Sequence, residues 1–220
     1  MTSAHLAPVP VTVRVPGKVN LELLVGGLRP DGFHSLSTVF QAVSLHDDVT
    51  VVEADDWGCT VTGPLAVGVP ESGDNLAVRA ARALARVTGI DTAVHITIRK
   101  GIPVAGGMAG GSADAAAALV ACDRLWELGM AREELEEIGA DLGSDVPFLV
   151  AGGTAIGSGR GERLAPVLAR GTFHWVFALA EGGLSTPTVF AEIDRLRAGR
   201  DIPEPSPTPE LMGALRSGDP

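Results

Sequence analysis

Residues 102–112 read Ile-Pro-Val-Ala-Gly-Gly-Met-Ala-Gly-Gly-Ser, with four glycines in six positions. Upstream, Val94, Ile96 and Ile98 alternate with His95, Thr97 and Arg99, which predicts a strand over 93–100. Downstream, residues 113–128 lack Gly and Pro, and Ala115, Ala118, Leu119, Cys122, Leu125 and Trp126 fall at helical spacing. A glycine loop between a strand and a helix lets the backbone come close to a ligand, and the helix adds unpaired amides and the positive end of its dipole. Those are the parts of a phosphate cradle. No Lys-Ser/Thr pair follows the last glycine, so this is not a Walker A loop, and the spacing is not GxGxxG. A tight turn in which glycines serve packing alone has the same pattern. Ser112 is expected to cap the helix, with Asp114 in its first turn.

Strand patterns over 9–15, 22–25, 38–43 and 49–53 precede the loop, with a turn at 28–32. Asp74-Asn75 opens a helix whose Leu76, Ala80, Ala83, Leu84 and Val87 share a face, and Gly89 ends it. A second, acidic helix is expected over 131–142 with Leu135, Ile138 and Leu142 inward, and a strand over 173–180. Strands early, helices in the middle and a strand again predict an α+β fold. Five of the 15 prolines lie between Pro203 and Pro220, where the chain reads as a linker.

The balance of 17 basic and 27 acidic residues, net -10, leaves no broad basic surface for nucleic acid or an anionic membrane. An RNA-binding module is disfavoured on that ground. The two cysteines, Cys59 and Cys122, cannot form a disulfide framework or a zinc site. The longest apolar run, 115–122, is far short of the roughly 20 residues a membrane helix needs. With no signal pattern before the first strand, a soluble cytoplasmic protein is expected.

The loop over 103–112 resembles the second motif of the GHMP kinases, which bind ATP phosphates on a non-Walker glycine loop. Three further stretches resemble one branch of that superfamily, whose substrate is a cytidine diphosphate-linked methylerythritol. These are Val15-Pro16-Gly17-Lys18-Val19-Asn20-Leu21, Arg29-Pro30-Asp31-Gly32-Phe33-His34 and Leu142-Gly143-Ser144-Asp145-Val146-Pro147-Phe148. The resemblance runs from about Val11 to Phe190. It implies a GHMP kinase fold, with a ribosomal protein S5 domain 2-like ATP-binding domain over 1–168 and the start of a ferredoxin-like second domain over 169–220. A third glycine-rich motif of Gly-Ser-Gly-Pro type is absent, and the second domain is expected to be incomplete.

The implied chemistry is transfer of a phosphoryl group from ATP to the 2-hydroxyl of the methylerythritol part, on the route to isoprenoid precursors. Lys18 and Asp145 are the implied catalytic pair. ATP would be held by Pro103, Val104, Ala105, Gly106, Gly107, Met108, Ala109, Gly110, Gly111, Ser112 and Ala113, with Asn75 and Lys100 near the nucleotide. Asn20, Phe33, His34, Thr186 and Phe190 would line the substrate side. Phe33 stands where many members carry tyrosine, which keeps ring stacking and loses a hydroxyl contact. Mg2+ is expected with the phosphates, and Ser112 and Asp145 are the candidate ligands. If Lys18 touches Asp145 it favours the ionised carboxylate, so Asp145 would chiefly orient the hydroxyl and accept its proton late. Without the motif context, Asp145 before Val146-Pro147 reads equally as a helix cap. Another GHMP kinase and a non-catalytic nucleotide-binding fragment are the remaining alternatives.

Overall fold

The computed structural model describes residues 9–104, 106–178 and 183–218. Strands β1 (Val11–Leu28) and β2 (His34–Ala54) form a long antiparallel hairpin closed by the expected turn. In that turn Gly32 has φ +81°, and its N–H donates to the Arg29 carbonyl at 3.0 Å. Pro16-Gly17 reads as punctuation in the sequence, yet the strand continues through it. Register shifts between Pro16 and Lys18, and again between Asn20 and Glu22, absorb the irregularity as bulges. The short strands expected over 9–15, 22–25, 38–43 and 49–53 are thus two long ones.

On its other side β2 pairs along its first half with β5 (Thr154–Gly159) and along its second with β4 (Ala93–Arg99). β3 (Gly58–Thr62), which the sequence pattern did not reveal, runs parallel to β4, and α1 (Leu76–Thr88) joins them. β6 (Arg163–Pro166) closes the far edge beside β5. α1 starts and stops as expected: the Asn75 side chain accepts the Ala77 N–H, and Gly89 is left-handed.

The core lies between this sheet and α1, α2 (Gly110–Leu125), α3 (Arg132–Leu142) and α4 (Val146–Ala151). α2 is buried on nearly all sides, and its small Ala113, Ala115, Ala116, Ala117 and Ala118 let it lie close to β1, β2 and α1. Two expectations about its start fail. The helix begins at Gly110 after a left-handed Ala109, so Ser112 lies inside it and does not cap it. Asp114 sits beyond the first turn, buried against Lys100. The C-terminal part carries α5 (Thr186–Arg197), with no buried residue, and α6 (Pro209–Ser217), which buries Leu215; the stretch from Pro203 that reads as a linker in the sequence thus holds a helix, its Pro209 being tolerated in the first turn. Residues 173–178 form no strand, and 179–180 lie outside the described residues, so the strand expected there is not present in the described part.

Candidate active site

Gly17 places β1 against the glycine loop. A Cβ there would meet Ile102 at 3.4 Å and the Met108 carbonyl at 3.5 Å, and the next residue, Lys18, donates its backbone N–H to that same carbonyl at 3.1 Å. The bulge at Gly17 also breaks the alternation of the strand, so Val15, Gly17 and Lys18 are all buried. The Lys18 ammonium donates to Asn20 Oδ1 at 2.7 Å and lies 3.6 Å from Asp145 Oδ2. Asn20 Nδ2 donates in turn to Thr38 Oγ1 at 2.7 Å, and Thr38 donates to the Glu22 carbonyl at 2.7 Å. Under the ammonium lies the Phe40 ring, 5.5 Å away, which stacks on Phe148 of α4 with 4.9 Å between centroids.

Asp145 occupies the cap position of α4 without making a cap hydrogen bond, which leaves its carboxylate for Lys18. It is held there by the close approach of α3 and α4: a Cβ on Gly139 would lie 2.8 Å from a Val146 methyl. A Cβ on Gly143 would lie 3.7 Å from Ser112 Oγ, which brings the Asp145 motif to the start of α2. Residues from three places in the sequence, Lys18, the loop with Met108 and Ser112, and the Asp145 motif, are thereby linked to one another.

The loop itself turns its backbone toward open space. Gly106, Gly107 and Gly111 are exposed, Gly107 has φ +71°, and open space lies where a Cβ of Gly107 or Gly111 would project. The first helical bond at this end runs from the Ala113 N–H to the Ala109 carbonyl, so the amides before it are free of intrahelical partners. Val104 is half exposed and Met108 buried, and Ala105 lies outside the described residues. Pro103 backs the turn, 3.3 Å from where a Cβ of Gly106 would sit.

Asn75 and Lys100 face inward. Asn75 is buried, caps α1 and donates to the Pro70 carbonyl at 2.8 Å. Lys100 is 2% exposed and its ammonium lies between Asp47 and Asp114. Burial pushes the Asp114 carboxyl up to about 7, while the Lys100 ammonium acts in the other direction. Nothing in the sequence distinguished Asp47, in a His-Asp-Asp run, from a solvated turn residue.

Among the residues expected at the substrate, His34 is buried, bonded to Asp194 at 2.8 Å, and meets the Phe190 ring edge-on with centroids 5.1 Å apart. Phe33 is 50% exposed beneath the Arg160 guanidinium, 5.1 Å from its ring. Thr186 is exposed on α5, four residues before Phe190 and on the same helical face. Asn20, expected at the substrate, spends its side chain on Lys18 and Thr38. Asp194 and Arg160 are additions that the structure makes to this group. Among the described residues no three or more His, Cys, Asp or Glu side chains cluster as a metal site.

Fold and loop together define a kinase of the GHMP class. Residues 75–153 match the family model of the GHMP kinases N terminal domain. The chain is 59% identical over 209 residues to the 4-diphosphocytidyl-2-C-methyl-D-erythritol kinase of Streptomyces avermitilis, spanning 95% of this chain and 70% of that protein. It is 61% identical over 211 residues to the enzyme of the same name from Streptomyces coelicolor, again 95% and 70%. A crystal structure of 4-(cytidine 5'-diphospho)-2C-methyl-D-erythritol kinase superposes with TM-score 0.68 at 32% identity, covering 94% of this chain and 72% of the other. Homoserine kinase from Cytophaga hutchinsonii shares the fold, with TM-score 0.62 at 14% identity over 100% and 70%. The chain belongs to the 4-diphosphocytidyl-2-C-methyl-D-erythritol kinase family. Among the described residues no helix is long and apolar enough to cross a membrane.

Proposed function

We propose that this chain transfers a phosphoryl group from ATP to a hydroxyl of 4-diphosphocytidyl-2-C-methyl-D-erythritol, with Lys18 and Asp145 as its catalytic pair. The observation that carries the reading is the joint placement of Lys18: its ammonium is 3.6 Å from Asp145, and its backbone N–H is bonded to the glycine loop through Met108. One residue thus ties the group that handles the hydroxyl to the loop that holds the phosphates.

Phosphoryl transfer passes through a loose transition state, so the protein mainly positions reactants and neutralises developing charge. The free amides from Gly110 to Ser112 and the dipole of α2 suit the second task. Asp145, paired with an ammonium, orients the acceptor hydroxyl and takes its proton late, while Lys18 offsets the charge on the transferring group. A hard cation would be held chiefly by phosphate oxygens, with Ser112 and Asp145 as the protein's oxygen donors, and would supply neutralisation of the phosphate charge. Asn75 and Lys100 support the nucleotide region from below. On the other side, Phe33, His34, Phe190 and Thr186 supply rings and polar groups suited to a cytosine and its sugar.

The 1–168 segment acts as the ATP-binding unit in this reading, and 169–220 brings Phe190 and Asp194 to the hairpin. The test is ADP release with Mg-ATP and 4-diphosphocytidyl-2-C-methyl-D-erythritol, against galactose and mevalonate. Release dependent on the cytidine-linked alcohol alone is expected. Equal release with mevalonate, or release with none of the three, contradicts the reading.

A further inference from the structure

Beneath the glycine loop lies a charge cluster that the catalytic pair does not use. Asp47, Lys100 and Asp114 are 0%, 2% and 2% exposed and come from β2, from the residue after β4, and from α2. Lys100 Nζ donates to a carboxylate oxygen of Asp47 and, at 2.8 Å, to one of Asp114. The other Asp47 oxygen accepts the N–H groups of Gly101 and Ile102 at 2.6 and 2.9 Å, so it grips the backbone that enters the loop. Asp114 Oδ1 is buried without a hydrogen-bond partner. A Cβ on Gly110, where the loop leaves into α2, would lie 3.2 Å from the Lys100 ammonium.

Burying three charges and leaving one carboxylate oxygen unmatched is a poor way to gain stability, because apolar side chains of similar volume would serve as well or better. What the cluster does supply is geometry. It bonds the entrance of the loop on one side and the first two turns of α2 on the other, through one ammonium.

We propose that the Asp47–Lys100–Asp114 triad is the seat of the phosphate loop, with Lys100 and Asp114 as positioning residues that fix how far the strand end stands from the start of α2. That distance sets whether the loop amides converge on one polyphosphate, and binding constellations need their parts held to within about 0.5 Å. The inference rests on the ATP-dependent reading for the identity of the anion.

Calorimetric titration with ATP of the parent chain, Asp114→Asn, Gly110→Ala and the double variant tests it. Asp114→Asn keeps the side-chain shape and removes one carboxylate that bonds Lys100, and the titrations are made at about pH 8, above the Asp114 value of about 7, where that carboxylate is ionised. Gly110→Ala raises the helix propensity of α2 and, by that effect alone, its thermal midpoint, while its Cβ presses on both the Lys100 ammonium and the Ile102 side chain. Each single variant is expected to weaken ATP binding about tenfold, as small misplacements of bound groups do. Binding of cytidine 5'-diphosphate stays unchanged. The double variant falls short of the product of the two losses, because both act through Lys100. Affinity for ATP within twofold of the parent in both single variants overturns the triad's role, whatever happens to the melting temperature. Should Asp114→Asn fail to fold, Asp114→Glu, which keeps the carboxylate and moves it by one methylene, decides in its place: ATP affinity within twofold of the parent overturns the triad's role. A parent chain that does not bind ATP removes the functional reading and this inference together, whereas binding that ignores the variants removes only the inference.

Discussion

Asn20 decides where the Lys18 ammonium points. It accepts from Lys18 at 2.7 Å and is itself fixed by Thr38, so the lysine is held in one direction as well as buried. A hydrogen bond to a charged group contributes about 1.5–3 kcal/mol. Asn20→Ala is therefore expected to lower kcat by roughly tenfold or more with a small change in the KM for ATP, as steady-state kinetics would read. Asp114 has a consequence for stability. Its carboxyl rises from 3.8 to about 7 on folding, mainly through burial, so between those values the folded chain keeps a proton that the unfolded chain has lost. This contribution is complete below pH 3.8 and is lost as the pH rises through 7. Melting curves of the parent and Asp114→Asn should accordingly differ in slope over that window, the parent losing more stability as the pH rises. Parallel curves would contradict the burial argument. At this scale the motif residues Lys18, Asp145, His34 and Phe190 were legible in the sequence. Asp47 and Asp194 were not, because a lone carboxylate in a turn or on a helix gives no sign of the distant partner that employs it.

Among the elements, the contact of α3 with α4 bears most directly on the chemistry, since α4 carries Asp145 at its start. Gly139→Ala would place a Cβ 2.8 Å from a methyl of Val146, a stiff β-branched side chain. Overpacking of this kind costs about 1–3 kcal/mol, and the strain falls on the Asp145 turn. The variant is expected to unfold at lower denaturant concentration and to lose turnover; full activity with unchanged stability would show that α4 yields without moving Asp145. Of the helices, α1, α2 and α3 announced themselves, whereas α4, α5 and α6, each opening on a proline in its first turn, did not. Asn75 and Gly89 marked the ends of α1, and α3 began within one residue of its expected start. The start of α2 was misplaced because a left-handed Ala109 and two glycines begin the helix without a side-chain cap. The strands were cut too short because bulges let β1 pass Pro16-Gly17, and a bulge depends on the partner strand rather than on local sequence.

At the scale of the whole molecule, β2 is the spine: it pairs with β1, β4 and β5, and through them fixes Lys18, the loop entrance at Lys100, and the edge beside Phe33. The C-terminal helices attach to this hairpin by few bonds, among them Arg197 to the Val25 carbonyl at 2.7 Å, Thr208 to Glu22 at 2.8 Å, and His34 to Asp194. The core beneath the sheet encloses both cysteines, and burial pushes the Cys59 and Cys122 thiols up to about 11 and about 12. Neither thiol should react with an aromatic disulfide reagent in the folded chain, and both should react together on global unfolding. Rapid labelling of the native chain would show that the core opens locally. The alternation and glycine content of the sequence were enough for α+β and for the loop. The order of strands in the sheet was not, because pairing joins residues too far apart for any local pattern to record.

The account depends on Asp145 acting on the acceptor hydroxyl with Lys18 beside it. The most direct measurement is the turnover of Asp145→Asn relative to the parent, with Mg-ATP and 4-diphosphocytidyl-2-C-methyl-D-erythritol at saturation. The expected result is a fall in kcat of about 10²–10⁴-fold. Turnover within about tenfold of the parent would contradict the assignment of Asp145 and, with it, the catalytic pair.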